Sequence, residues 1–305
     1  MISLKAITQF VNSHIVALYN CNMERLVSGI AMLGESSKTE VDWINPRAIN
    51  PQIQAEASNS SIIIASPVVK FSKLMEQMNK SLIQVDNPYL VIALIGNEFF
   101  VRKPVAEIHP TAIIDANANI GKGVSIGAYS VIKACVIGDN TIVSENVVIN
   151  DSVTIGTNVY IKPGAILGFP GFSFVKDTNM DEIIKFPQLG SVLISDNVEI
   201  GSNTVIDRGA LSHTIICKNV KISSSCHIAH NVRIGESSFV TAHVMISGST
   251  QIGKDVWIGP NVTFGGHQTV GDGALIGSGS VVIKDIPANE VWAGNPARFI
   301  RIRNP

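Results

Sequence analysis

Apolar residues recur along most of this chain with a period that fits neither a helix nor a two-sided strand. From Ile216 every sixth residue is aliphatic or Phe: Ile216, Ile222, Ile228, Ile234, Val240, Ile246, Ile252, Ile258, Phe264, Val270, Ile276 and Val282. A helix needs apolar spacing near 3.6 and an ordinary strand needs spacing of 2. A strict period of six, often followed by Gly as in Ile234-Gly235 and Ile276-Gly277, is the pattern of a parallel β-helix built from hexapeptides. The ladder starts at Ile108 and runs by sixes to Ile132, takes one five-residue step to Ile137, and resumes from Val143 to Leu167. It then breaks. The segment 168–190 has no period, contains four Phe and is predicted to loop out. The ladder returns at Ile194, Ile200 and Ile206, and a short excursion, Asp207-Arg208-Gly209-Ala210-Leu211, precedes the unbroken run. Three hexapeptides make one triangular coil, so about eight or nine coils are expected, stacked at the ordinary strand spacing of about 4.8 Å.

Residues before the ladder follow other rules. Leu4 to Leu18 has helix-like apolar spacing, and Phe71 to Met78 and Leu90 to Ile95 read as further helices. Ser60 to Ser66 and Ser81 to Val85 read as buried strands. Strand and helix alternate, which predicts a small α/β domain. The expected organisation is an α/β domain over 1–104, a β-helix over 105–286 carrying the loop 168–190, and a C-terminal cap over 287–305, with Arg102-Lys103-Pro104 as linker. The fold class is mainly β, a parallel β-helix with a small N-terminal α/β domain. The strict six favours the left-handed form, on family knowledge; sterics alone favour right-handed crossovers.

Composition narrows the function classes. The 305 residues carry a formal net charge of −1 and only 15% are charged, so no basic excess points to nucleic acid or an anionic membrane surface. Hydrophobic content is 46%, yet no run approaches the ~18 apolar residues of a membrane helix. The N-terminal segment does not read as a secretory signal. The four cysteines show no CxxC spacing, and a reduced, cytoplasmic protein is expected.

The coil repeat serves as a ruler for candidate chemistry. Gly248 lies one coil beyond His230, at the equivalent corner, and His267 lies two coils and one residue beyond it. An imidazole on one edge beside a Gly whose N–H is unshielded can supply a general base and an oxyanion donor; the plain alternative is a polar turn residue. His227 and His230 are three apart in one strand, which points them to opposite faces, so no metal site is expected. Asp207 and Arg208 read either as a tight loop pairing with itself or as substrate contacts. The loop 168–190 reads as a lid or as a surface packed on a neighbouring chain.

Several segments carry a resemblance. They include Asn45-Pro46, Asn87-Pro88-Tyr89, Ile108-His109-Pro110-Thr111-Ala112, the loop from Gly171-Phe172 to Pro187-Gln188-Leu189-Gly190, Thr204 to Leu211, and Ile228-Ala229-His230-Asn231. In these the chain resembles the UDP-3-O-acylglucosamine N-acyltransferases of lipid A biosynthesis. The resemblance implies a left-handed β-helix homotrimer with a nucleotide-binding N-terminal domain and active sites between subunits. It further implies His230 as base, Gly248 as oxyanion donor, His267 as a second active-site histidine and Asn45 as a uridine contact. Ala48 stands where the family has a Tyr, Ser223 stands where it has an acidic residue, and the family's helical extension that engages acyl carrier protein is replaced by a different tail. That tail, Val291 to Arg298, resembles the segment that closes the solenoid and lines the coenzyme A channel in hexapeptide acetyltransferases, which implies Gly294, Asn295, Pro296 and Arg298 as coenzyme A contacts. The resulting expectation is an N-acyltransferase that uses acetyl-CoA or another acyl-CoA on a nucleotide-linked amino sugar for surface polysaccharide. The alternatives are a lipid A enzyme that uses acyl carrier protein and an inactive solenoid scaffold.

Overall fold

The computed structural model describes residues 1–32, 34–102 and 105–304. The chain divides into two compact units, Met1–Lys103 and Pro104–Pro305. Of the expected linker, Lys103 and Pro104 lie outside the described residues.

The N-terminal unit is built on a five-stranded sheet in the spatial order Ile15–Tyr19, Ser81–Val85, Ile62–Ala65, Glu40–Trp43, Gly29–Ile30. Ile15–Tyr19 pairs antiparallel and the remaining pairs are parallel. A largely parallel sheet is covered on both faces, which is why Ile62, Ile63 and Ile64 can be consecutive and all fully buried. Ile62 and Ile64 face one apolar cluster while Ile63 and Ala65 face another. Helices Pro51–Ala57 and Pro88–Ile95 start at a Pro, whose missing N–H is no loss in the first turn, and Asn87 caps the second by accepting from the Leu90 N–H. The helix expected over Leu4 to Leu18 stops at Phe10. Asn12–His14 is a 3₁₀ turn, and Ile15–Tyr19 is taken by the sheet, whose pairing partner Ser81–Val85 outweighs the helical spacing.

The second unit is a left-handed parallel β-helix with three parallel faces. Its sheets contain ten, nine and eight strands, the first including the two strands of the C-terminal tail. The six-residue ladder, with the small apolar residues between its rungs, forms a single buried column from Val124 to Ile286. Corners fall in the left-handed backbone region, at Asn140, Asn158, Asn203, Asn219, Asn231, Ser249 and His267 among others. Asn tolerates that region better than most side chains, which explains its frequency there.

Two interruptions matter for the site. The strand Ile166–Pro170 extends past its hexapeptide and pairs with Val205–Arg208, through a bulge between Leu167 and Phe169. Asp207 and Arg208 therefore sit in a strand and not in a loop. Beyond Pro170 the chain leaves the solenoid as an antiparallel hairpin of Phe174–Asp177 and Glu182–Lys185. It is fastened on return, where Leu189 N–H donates to Ala210 O and Gly190 N–H to the carbonyls of Gly209 and Ala210.

The tail closes the last coil. Glu290–Ala293 adds in parallel to Leu275–Ile276 and turns back into Arg298–Ile302. Ala297 drops into the end of the core column.

Candidate active site

Successive coils place His230, Gly248 and Gly266 at one corner. Ser249 N–H donates to His230 O and His267 N–H to Gly248 O, both at 3.0 Å, so the three backbones are stacked by hydrogen bonds. The imidazole of His230 lies over Gly248: a Cβ on Gly248 would sit 2.6 Å from His230 Cε1 and 2.8 Å from Nε2. Only glycine leaves room for the ring. Among the described residues the Gly248 N–H has no hydrogen-bond acceptor.

The protonation geometry of His230 follows from its neighbour. Ala210 N–H donates to Asn231 Oδ1 at 3.0 Å, which fixes that amide with its oxygen toward this spot. His230 Nδ1 lies 3.0 Å from the same oxygen. An oxygen accepts and does not donate, so Nδ1 carries the proton and Nε2 presents its lone pair. A neutral imidazole held in this tautomer is equipped to take a proton at Nε2. The same Asn231 oxygen connects His230 to Ala210, whose carbonyl holds the return end of the hairpin.

Asp207 and Arg208 diverge, as adjacent strand residues must. Asp207 is buried and its Oδ2 pairs with His227 Nε2 at 2.9 Å. That hydrogen bond raises the His227 pKa above the ordinary histidine value, against the lowering effect of burial, and the Asp207 charge adds to the rise. Arg208 turns the other way. Its Nε donates to Gly168 O at 2.7 Å, and an Nη bonds Asp151 O at 2.6 Å and Asp151 Oδ1 at 3.1 Å. The two residues do not pair with each other, and Arg208 is occupied in fastening the start of the hairpin. A Cβ on Gly171, in that hairpin's stem, would lie 3.0 Å from Asp207 Oδ2 and 3.4 Å from His230 Cδ2. Gly171 thus brings the loop backbone against Asp207 and His230 together.

The remaining expected site residues lie elsewhere. His267 joins the corner through its backbone, with its side chain exposed. Asn45 is exposed in the N-terminal unit, where it forms a turn that accepts from Arg47 N–H and Ala48 N–H. Trp43, two residues earlier, faces Tyr89 with ring centroids 5.7 Å apart, and both line a cavity of about 400 Å³. Gly294, Asn295 and Pro296 are exposed in the turn of the tail hairpin, and the exposed Arg298 opens its returning strand. Gly294 N–H donates to Ser280 Oγ, Val281 N–H donates to Gly294 O, and Ala297 N–H donates to Val281 O. Sequence reasoning missed Asn231 as the partner of His230, His227 as the partner of Asp207, and Gly171. One further oddity is Gln188, whose buried side-chain amide has no hydrogen-bond partner at either atom among the described residues. Among the described residues no helix is long and apolar enough to cross a membrane.

The chain has clear relatives. A family model described as bacterial transferase hexapeptide (six repeats) matches residues 249–284, and one described as GMPPB C-terminal domain matches residues 95–169. A UDP-3-O-acylglucosamine N-acyltransferase of Methylacidiphilum infernorum is 43% identical over 301 residues, covering 90% of this chain and 82% of that protein. The protein of the same name from Bordetella pertussis is 39% identical over 254 residues, covering 75% and 69%. Among solved structures, the UDP-N-acetylglucosamine O-acyltransferase LpxA of Moraxella catarrhalis matches with a TM-score of 0.59 at 27% identity, over 64% of this chain and 74% of that one. LpxA of Acinetobacter baumannii matches with a TM-score of 0.58 at 29% identity, over 64% and 74%.

These relatives correct one expectation. These relatives are named UDP-3-O-acylglucosamine N-acyltransferases, which overturns the reading as an acetyl-CoA-dependent enzyme of surface polysaccharide. The acyl-CoA donor falls with it. It rested on the tail standing in place of the family's helical extension, and the hydrogen bonds of Gly294 and Ala297 show that tail closing the last coil, a task independent of the donor.

Proposed function

Because the chain belongs to the UDP-3-O-acylglucosamine N-acyltransferase family, we propose that it transfers an acyl chain to the amine of a UDP-linked 3-O-acylglucosamine, with an acyl carrier protein thioester as donor. The observation that carries the mechanism is the His230 ring seated on Gly248 with its Nδ1–H spent on Asn231. His230 Nε2 takes a proton from the sugar amine as nitrogen attacks the thioester carbonyl. The Gly248 N–H donates to the tetrahedral oxyanion, a role suited to a backbone donor with no other acceptor. Collapse breaks the C–S bond, and the proton held by His230 passes to the departing thiolate. Asp207, at the same corner, contacts the acceptor sugar, and the exposed His267 borders the acyl donor. Asn45, exposed in the N-terminal unit, is proposed as a contact to the nucleobase of the acceptor. The working assembly is a homotrimer in the cytoplasm.

The test is a donor comparison. Purified protein is given the UDP-3-O-acylglucosamine acceptor with either a 3-hydroxyacyl carrier protein or the matching acyl-CoA, and the N-acylated sugar is measured by mass spectrometry. Rapid amide formation from the carrier protein thioester is expected. No product from that donor under any condition would remove this reading.

A further inference from the structure

Next to the His230 corner, Asp207 has a partner, His227, that the proposed chemistry has not used. Asp207 Oδ2 is bound by His227 Nε2 at 2.9 Å. Its other oxygen has no hydrogen-bond partner among the described residues. The Gly171 backbone, whose Cβ position would lie 3.0 Å from Asp207 Oδ2 and 3.4 Å from His230 Cδ2, brings that carboxylate close to the proposed base. An open carboxylate oxygen beside a general base is suited to accept an N–H or O–H of the acceptor sugar.

We propose that His227 is a positioning residue for the acceptor: it holds one oxygen of Asp207 so that the other receives the amino sugar beside His230. The inference rests on the function proposed above and adds a residue to it. His227 projects from the strand His227–Ile228 between Val205 and Met245 on the neighbouring coils, neither of which carries charge. The charged or titratable groups around it are Asp207, His230 across the Gly171 backbone, and Arg208, which is committed to Asp151 and Gly168. Asp207 is therefore the group to which the His227 charge responds. Since the folded pKa of His227 is raised, the charged pair is fully present below the ordinary histidine value and is lost as pH rises through the raised one. Acceptor binding weakens along that alkaline limb.

The test compares His227→Leu and His227→Gln, with wild type assayed alongside. Gln keeps a hydrogen-bond donor but does not titrate. In His227→Leu, kcat/KM for the acceptor should fall about tenfold or more, the scale of one charge-assisted hydrogen bond, with KM for the donor unchanged. His227→Gln should recover most of that loss and should lack the alkaline limb that wild type shows. A His227→Leu enzyme within twofold of wild type, or an alkaline limb unchanged in His227→Gln, would overturn the proposal. If His227→Leu fails to fold in a thermal melt, the pH profile of His227→Gln decides alone. Wild type that makes no amide product at all would instead sink the function proposed above, so the two failures are separable.

Discussion

At the scale of single residues, the site depends on an absent side chain. The His230 imidazole occupies the space that a Cβ on residue 248 would need, 2.6 Å from Cε1. Gly248→Ala must push the ring away from its hydrogen bond with Asn231. Because a displacement of about 1 Å can cost about 10²-fold in rate, kcat should fall about a hundredfold or more. A melting curve should stay close to wild type, since the ring and not the core gives way. Gln188 makes the opposite prediction. Its buried carboxamide is unpaired at both atoms, and such a group is a liability of about 1–3 kcal/mol. Gln188→Met, of similar length and apolar, should leave stability in urea unchanged or raise it. Only part of this was legible in the sequence. The 18-residue coil aligns His230 with Gly248, and it did so without error. It could not reach His227 and Asp207, because the excursion after Arg208 lengthens one coil: Val205 pairs with His227, where an unbroken ladder would have paired it with Ser223. The contact of Asn231 with His230 has no signature in spacing at all.

At the scale of elements, the hairpin rooted at 168–190 is fastened at its start by the strand Val205–Arg208 and at its return by the turn that follows it. Arg208 grips Gly168 and Asp151 at its start, and the carbonyls of Gly209 and Ala210 receive Leu189 and Gly190 at its return. Arg208→Met keeps the length and apolar stem but abandons two carbonyls and the Asp151 carboxylate. Loss of about 1–3 kcal/mol is expected in chemical denaturation, with the hairpin cleaved faster by limited proteolysis. An intact hairpin with unchanged stability would remove this role. Of the two readings of Asp207 and Arg208, the self-paired loop fails for a plain reason. Once Ile166–Pro170 extends as a strand, Val205–Arg208 can pair with it, and alternation sends the two side chains to opposite faces. The N-terminal helix was overread in the same way, since apolar spacing over Leu4 to Leu18 cannot reveal that Ser81–Val85 offers Ile15–Tyr19 a pairing partner.

At the scale of the whole molecule, the ladder is both scaffold and ruler. Each coil buries its aliphatic residues against the next, so the column is one continuous core. Ile246→Asp, one coil beyond Ile228, would place an unpaired carboxylate in that column, and loss of the cooperative β signal in circular dichroism is expected. The solenoid was readable because period six fits neither a helix nor a two-sided strand. The donor was not readable, because the tail that pointed to coenzyme A does its visible work as a cap. The family assignment, the stacked corner and the fixed tautomer converge on one claim, that His230 is the general base of amide formation. Single-turnover acyl transfer by His230→Ala, measured beside wild type with saturating donor and acceptor, tests it most directly. A fall in rate of about 10²–10⁴-fold with an unchanged melting curve is expected; a rate near that of wild type would contradict it.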